Sequence, residues 1–451
     1  MIIKNRAELA NTGLRRAALD IIEAGIERVL PARVVPDSVK WEEERHTLFV
    51  NGIGHHLSPH GRIFVVGGGK AAGAMSESLE TVVPAMLIVD GVVTCNEPGE
   101  RYRVTRCRIV EAGHPVPDER GTTGVKLMLE LKSQHAIGAG DIVLCLISGG
   151  GSALMPCPVA GVSLDDKQKL TGMMLSSGAS ISEINAVRKH LSLVKGGRLG
   201  AFFAPASVVS LVISDVVGND LSTIASGPTY PDPTTFQDAW SVLVKYGLIS
   251  AAPRHVVEYI RRGMDGREQE TPKSLNNCRN YIIGDNRLAL EAMARKAREM
   301  GLRPCIVTAA QTGDTAAVAQ QRASELLAGK YREYNIILIG GETTPTLPPA
   351  HGVGGRNQHY AAVSMLALHS FYGEWVVASM GTDGSDYLRD VAGAIVDWNK
   401  MAAAEQKGLN VRDYLERYDS NTLLQKAGAS LIVTGHTGTN VGDIIVYVVR
   451  Q

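Results

Sequence analysis

Two glycine-rich stretches and a scatter of carboxylates and cations carry the chemistry legible in this chain. The first stretch is IFVVGGGKAAGAM, residues 63–75. A β-branched run leads into Gly67-Gly68-Gly69-Lys70, and a helical pattern follows. Glycines there let backbone N–H groups approach an anion at a helix N-terminus, and Lys70 adds a full positive charge. The stretch lacks the GxxxxGK[ST] spacing of a Walker A loop. It does fit GxGxx[GA] through Gly67, Gly69 and Ala72. Asp90, expected to end the next strand, then stands where a dinucleotide-binding fold keeps its ribose acid. One reading is therefore a nicotinamide-dependent reductase; the plainer one is a tight strand–helix turn with a solvated lysine. The second stretch is LISGGGSALMPCP, residues 146–158, in which Ser148, Gly149, Gly150, Gly151 and Ser152 form a nest-like turn suited to phosphate oxygens.

Downstream, Asp215 follows a buried run in VISDVVGNDLSTIASGPTYPDP, residues 212–233. A carboxylate at such a strand end can hold Mg²⁺ with substrate phosphates, or orient a substrate hydroxyl. Asp220 is expected to cap a local turn. Arg188 and Lys195, seven residues apart, are expected to line one side of a helix, with Arg198 beyond. Four further polar glycine turns lie near the C-terminus: Gly340–Thr344 with Glu342, Gly354–Gln358 with Arg356 and Asn357, Gly381–Asp386 with Asp383, and Gly435–Asn440. Arg356 can grip a phosphate or carboxylate bidentately. Together these turns suggest a phosphate-rich small ligand. His55-His56-Leu57-Ser58-Pro59-His60 looks metal-like but is read as an exposed polar loop, and His114 falls in a rigid loop, Gly113–Asp118. No HExxH, GxSxG or protein-kinase motif set is present.

The elements that must position these residues alternate short β-branched runs with helical patterns, the mark of parallel α/β architecture. Strands are expected at Ile63–Val66, Met86–Val89, Ile142–Ser148, Val208–Ser214, Tyr281–Gly284, Ile306–Ala309, Ile336–Gly340, Val376–Met380, Ala394–Asp397, Leu431–Thr434 and Ile444–Val449. A helix is expected over Ile181–Val194, opened by a Ser180/Glu183 capping box and stopped by Gly196-Gly197. Residues 1–235 are expected to form the first domain, 236–276 a helical connection, and 277–451 a second α/β domain.

The chain has 451 residues, 48 of them glycine, about 11% against a usual level near 7%. Lys plus Arg equals Asp plus Glu at 46 each, which argues against a nucleic-acid footprint. The six cysteines show neither zinc nor disulfide spacing, which fits buried thiols in a reducing compartment. No apolar run reaches the ~20 residues of a membrane span, and no signal-peptide pattern opens the chain. A cytoplasmic location is expected, with no membrane partner.

Taken in order, GGGKAAGAM, GHPVPDE, SGGGSAL, INAVRKHLSLVKGG, SDVVGNDLSTIASGP, GGETT, GGRNQ, GTDGSD and TGTNVGD resemble the class II glycerate 2-kinases with a C-terminal MOFRL domain. The likeness runs nearly end to end. It implies a large Rossmann-like parallel-sheet domain, a smaller α/β domain, and a site in the cleft between them. It implies ATP- and Mg²⁺-dependent phosphorylation of D-glycerate to 2-phosphoglycerate. Some relatives carry a hydroxypyruvate reductase label. On this reading Lys70, Arg356 and Asp215 are catalytic. Gly68, Gly69, the Ser148–Ser152 turn, Arg188 and Lys195 bind substrate and phosphate. Glu342, Asn357, Asp383 and Asn440 face the nucleotide, and Asp215 and Asp383 hold Mg²⁺. A homodimer is compatible with it. Two departures stand out: Tyr387-Leu388-Arg389, where many members have a second glycine after GTDGxD, and His436 in place of the proline of GPTGTN. Both bear on nucleotide preference and on which hydroxy acid is used.

Overall fold

The computed structural model describes residues 1–450. The chain divides into two compact units. One comprises Val34–Ser214 and Asn219–Ile283; the other comprises Met1–Arg33, Asp215–Gly218 and Gly284–Gln451.

The first unit opens with an antiparallel sheet of β1 (Val39–Glu42), β2 (Thr47–Val50) and β3 (Ile53–His56). His55 and His56 thus lie on an edge strand rather than in a polar loop, and His55 Nε2 meets the Tyr281 hydroxyl at 2.9 Å. The main sheet uses β4 (Ile63–Gly68), β5 (Ile88–Cys95), β6 (Cys107–Glu111), β7 (Ile142–Ser148), β8 (Ser207–Ile213) and β9 (Cys278–Gly284), in the order β6-β5-β4-β7-β8-β9. The pairs from β6 through β8 are parallel. β4 and β7 are buried along their whole length, as the continuous apolar runs require.

Two expectations are corrected here. β9 belongs to this sheet, so the second α/β unit does not start at residue 277. The region 236–276 is also no mere connection. Its helices Phe236–Lys245 and Arg254–Met264 bury Phe236, Leu243, Val256 and Ile260 against Ile184 and Val187 of helix Ile181–His190 and against Leu191, which follows it.

The second unit holds β10 (Pro304–Gln311), β11 (Ile336–Gly341), β12 (Glu374–Gly381), β13 (Gly393–Asp397), β14 (Leu431–Ile432) and β15 (Asp443–Arg450), in the order β10-β11-β15-β12-β13-β14. Only β10 and β11 pair in parallel; the last strand inserts antiparallel between β11 and β12. This sheet is therefore mixed. Helix Gly13–Arg28, expected in the first domain, packs here against helix Asn286–Glu299 and against β15 and β12. Arg15, fully buried on it, pairs with Asp397 and donates to the carbonyl of Ala429 at 2.7 Å.

Candidate functional site

In the first unit, the two glycine turns sit at the carboxyl ends of adjacent parallel strands, where open α/β sheets bind ligands. The glycines of the first turn have a packing reason. Gly67 has φ +131°, and a Cβ there would stand 2.1 Å from the Leu146 carbonyl oxygen. The backbones of β4 and β7 come too close for any side chain. Gly69 meets Ser148 in the same way. Ser148, fully buried, accepts from Ala71 N at 2.9 Å, and Lys70 N donates to Gly149 O at 2.9 Å, so the two turns brace each other. Gly150 is left-handed, with φ +81°; a Cβ on it would lie 3.0 Å from the His114 ring and 3.2 Å from Lys70 Cγ. Lys70 therefore lies over the second turn with His114 beside it. Ser152 Oγ meets Ser226 Oγ at 2.7 Å, and Ser226 Oγ reaches Asn185 at 3.4 Å.

Asp90 does not join this group. β5 runs Ile88–Cys95, so Asp90 is near its beginning and pairs with Phe64, whereas Gly67 pairs with Val93. Three residues along a strand are ~10 Å. Asp90 instead accepts from its neighbour Gly91 N at 2.7 Å and meets His135 Nε2 at 3.2 Å. The strand continues through Gly91 to Cys95, beyond the expected end at Asp90. Gly91 is an internal glycine wedged against Val65 and Cys107, where a Cβ would stand at 2.9 Å from each.

Helix Ile181–His190 opens with the predicted Ser180/Glu183 capping box but ends four residues sooner than Val194. Ser192 Oγ accepts from Val194 N and Lys195 N, replacing helical bonds with a side-chain turn. Arg188 and Lys195 therefore do not share a helix side. Nor is the polar face solvated, since Asn185, Lys189, Ser192 and Lys195 are all buried. Lys189 has its counter-charge in buried Asp232, 3.2 Å away. Lys195 has none: its Nζ makes no hydrogen bond. Burial first, and then Lys167 and Arg188, pull Lys195 well below the ordinary lysine value. Lys167, which sequence reasoning missed, is in the same state, with its pKa lowered to about 7 by burial and by Arg188. The signal was present, because Lys167 interrupts the stripe Leu164, Leu170, Met174 that helix Leu164–Ser176 buries. Asp220 caps its turn as expected, accepting from Ser222 N at 2.9 Å.

In the second unit, Arg356 opens helix Arg356–Ala367. Its Nε and Nη2 grip Asp443 at 2.6 and 3.0 Å, and its Nη1 meets Glu342 at 2.7 Å. Burial opposes the guanidinium charge, but Asp443 and Glu342 outweigh it and raise the pKa. Asn357 is committed within the protein. It donates to Asp443 at 2.9 Å and accepts from Ser379 Oγ at 2.6 Å, while its backbone N–H donates to Asp386 at 3.0 Å. Asp386 is fully enclosed, and burial raises its carboxyl to about 6 despite the N–H donors of Asn357 and Gln358. Asp443, the first residue of β15, is the anchor of this network. Asn440 Nδ2 donates to Asp215 Oδ2 at 2.7 Å, tying Asp215 to the strand end that bears Asp443. Asp383 accepts from Ser385 N at 3.0 Å. Tyr387 is left-handed, with φ +65°, and exposed. No group of three His, Cys, Asp or Glu side chains is arranged to hold a metal among the described residues.

Residues 17–261 match a domain family of unknown function (DUF4147), and residues 335–443 match the MOFRL family. A glycerate 2-kinase of Pyrococcus horikoshii is 37% identical over 447 residues, covering 97% of this chain and 98% of that protein. The chain belongs to the glycerate 2-kinase family. A D-glycerate 2-kinase of Thermotoga maritima is 38% identical, covering 96% of this chain and 98% of its own length. The crystal structure of glycerate kinase from Thermotoga maritima superposes with a TM-score of 0.82 at 36% identity, covering 96% of this chain and 99% of that one. As a family member the chain is an enzyme, a phosphotransferase acting on an alcohol group. Among the described residues no helix is long and apolar enough to cross a membrane.

Proposed function

We propose that this family member transfers the γ-phosphoryl group of ATP to the 2-hydroxyl of D-glycerate, giving 2-phosphoglycerate. The observation that carries this reading is Lys70 lying over the Gly150 turn at the carboxyl end of the parallel sheet. A cation above a nest of N–H groups suits the equatorial oxygens of a phosphoryl group in flight. In this scheme the Gly149–Ser152 turn, with Gly68 and Gly69 as its brace, receives phosphate, and Arg188 and Lys195 hold the substrate carboxylate. Arg356 works through Nη1: Asp443 fixes the other two nitrogens, and the half-exposed Glu342 can yield its place to phosphate. Asp215, steadied by Asn440, accepts a hydrogen bond from the attacking hydroxyl or a bond to Mg²⁺. Asp383 and Asn440 shape the nucleotide side, and Asn357 acts only by holding Asp443. Mg²⁺, held by Asp215 and Asp383, would supply charge neutralisation between the phosphates.

The test is a coupled assay with D-glycerate, ATP and Mg²⁺, with the product read by phosphorus NMR. The expected result is a 2-phosphoglycerate signal. A 3-phosphoglycerate signal, or none, overturns the reading. A parallel reaction with hydroxypyruvate and NADPH is expected to be silent, because Asp90 is at the wrong end of its strand to meet a ribose at the Gly67 turn.

A further inference from the structure

Lys167, Arg188 and Lys195 gather three basic side chains in the first unit without a counter-charge. Helix Leu164–Ser176, which bears Lys167, packs on helix Ile181–His190, which bears Arg188. Arg188 Nε reaches Thr171 Oγ1 at 3.4 Å, one helical turn along from Lys167. Lys167 is 9% exposed and Lys195 3%, and neither Nζ has a hydrogen-bond partner. The groups that face them are one another and the Cys157 thiol, which burial keeps protonated; Lys126, exposed, acts only on Cys157. The acids of the same helix are occupied elsewhere. Asp165 pairs with Lys169 at 2.6 Å, and Asp166 accepts from Ser163 N at 3.0 Å.

A buried ammonium with neither hydrogen bond nor counter-charge is among the costliest groups a fold can keep. Lys189 shows the ordinary remedy one residue from Arg188, a buried aspartate. A methionine would fill the Lys167 position without the penalty. The cluster also adjoins the glycine turn. Leu193 N donates to Cys157 O at 2.9 Å, and Gly196 N donates at 2.9 Å to the carbonyl of Ser226, whose hydroxyl meets Ser152.

We propose that Lys167, Arg188 and Lys195 form one enclosed oxyanion subsite, in which Lys167 supplies the charge for an oxyanion bound beside Lys195. The oxyanion is the carboxylate of the hydroxy acid or the phosphate of its phosphorylated product; this identity, though not the subsite itself, rests on the kinase reading. Arg188 keeps its charge throughout. Burial holds the two lysines toward their neutral forms until the anion arrives. Binding then draws a proton from the buffer onto Nζ, forming an N–H bond where the lone pair was.

The test uses the full chain with inorganic phosphate and with D-glycerate, against chloride at equal ionic strength. Thermal unfolding and titration calorimetry are run in two buffers of different ionisation enthalpy. For the wild type, at least one oxyanion is expected to raise Tm beyond chloride and to bind with proton uptake. Lys167→Met is expected to raise the Tm of the ligand-free protein while weakening that oxyanion by about tenfold or more. Lys167→Gln gives the same contrast if the methionine variant does not fold. Phosphate alone acting identifies the product's phosphate, and glycerate alone acting identifies the carboxylate. No oxyanion effect beyond chloride overturns the subsite, as does a Lys167 variant that binds within twofold of wild type. Anion binding without any kinase turnover would overturn the kinase reading and leave the subsite standing.

Discussion

Lys70 and Arg356 are set up differently, and their variants should fail differently. Lys70 lies over a turn with its stem against Gly150. Lys70→Ala is expected to cut kcat by about 10²–10³-fold, the loss typical of a donor aimed at transition-state charge, with Tm nearly unchanged. Arg356 also neutralises Asp443, which is 3% exposed. Arg356→Ala leaves that carboxylate buried and unpaired, so it is expected to lose both turnover and about 3 kcal/mol or more of stability. Equal Tm for the two variants would contradict this division. Asp215→Asn keeps the Asn440 contact sterically but removes the charge, and is expected to abolish activity or shift the Mg²⁺ titration; an unchanged titration refutes its role. At this scale the sequence singled out Lys70 in a glycine turn after an apolar run, Asp215 directly after another such run, and Arg356 in a glycine turn that opens a helix. It missed Lys167, because an isolated lysine in a helix ordinarily points to water.

Helix starts were legible and helix ends less so. Ser180 and Glu183 form the predicted box because capping is settled within four residues. The end at His190 was hidden, because the side-chain turn at Ser192 competes only once its partners are packed. His190 itself is fully buried, and its Nε2 meets Glu270 at 2.7 Å. Burial alone would raise the Glu270 carboxyl, but His190 and the N–H groups of Phe236 and Thr271 outweigh it and pull it to about 2. A carboxyl depressed on folding adds stability above its unfolded value, and that stability is lost as pH falls toward the folded value. Glu270→Gln is therefore expected to lower the urea midpoint at pH 7, with the gap to wild type closing between about pH 4.5 and pH 2. A gap that persists to pH 2 would mean that Glu270 acts through packing alone.

The allotment of chain to the two units could not be read locally. Helix Gly13–Arg28 is amphipathic and would serve either sheet; Arg15, fully buried, fixes its place through Asp397 and through the carbonyls of Ala429 and Ile395. Arg15→Ala leaves Asp397 buried without its partner and is expected to cost about 3–5 kcal/mol. Hydrogen exchange should quicken first in β12 and β13, and β7 should stay protected. Early loss in β7 would detach the N-terminal helix from the second unit. The sequence by itself determined the strand runs and the glycine turns that end them, because each depends on neighbours within a dozen residues, and the balanced charge and the order of the motifs, which need no contacts at all. Only the tertiary structure decided that Asp90 lies at the far end of its strand from Gly67, that β15 inserts antiparallel between β11 and β12, and that two lysines are walled in beside Arg188. Register, sheet order and burial are set by residues far apart in the chain, whose contacts have no local signature.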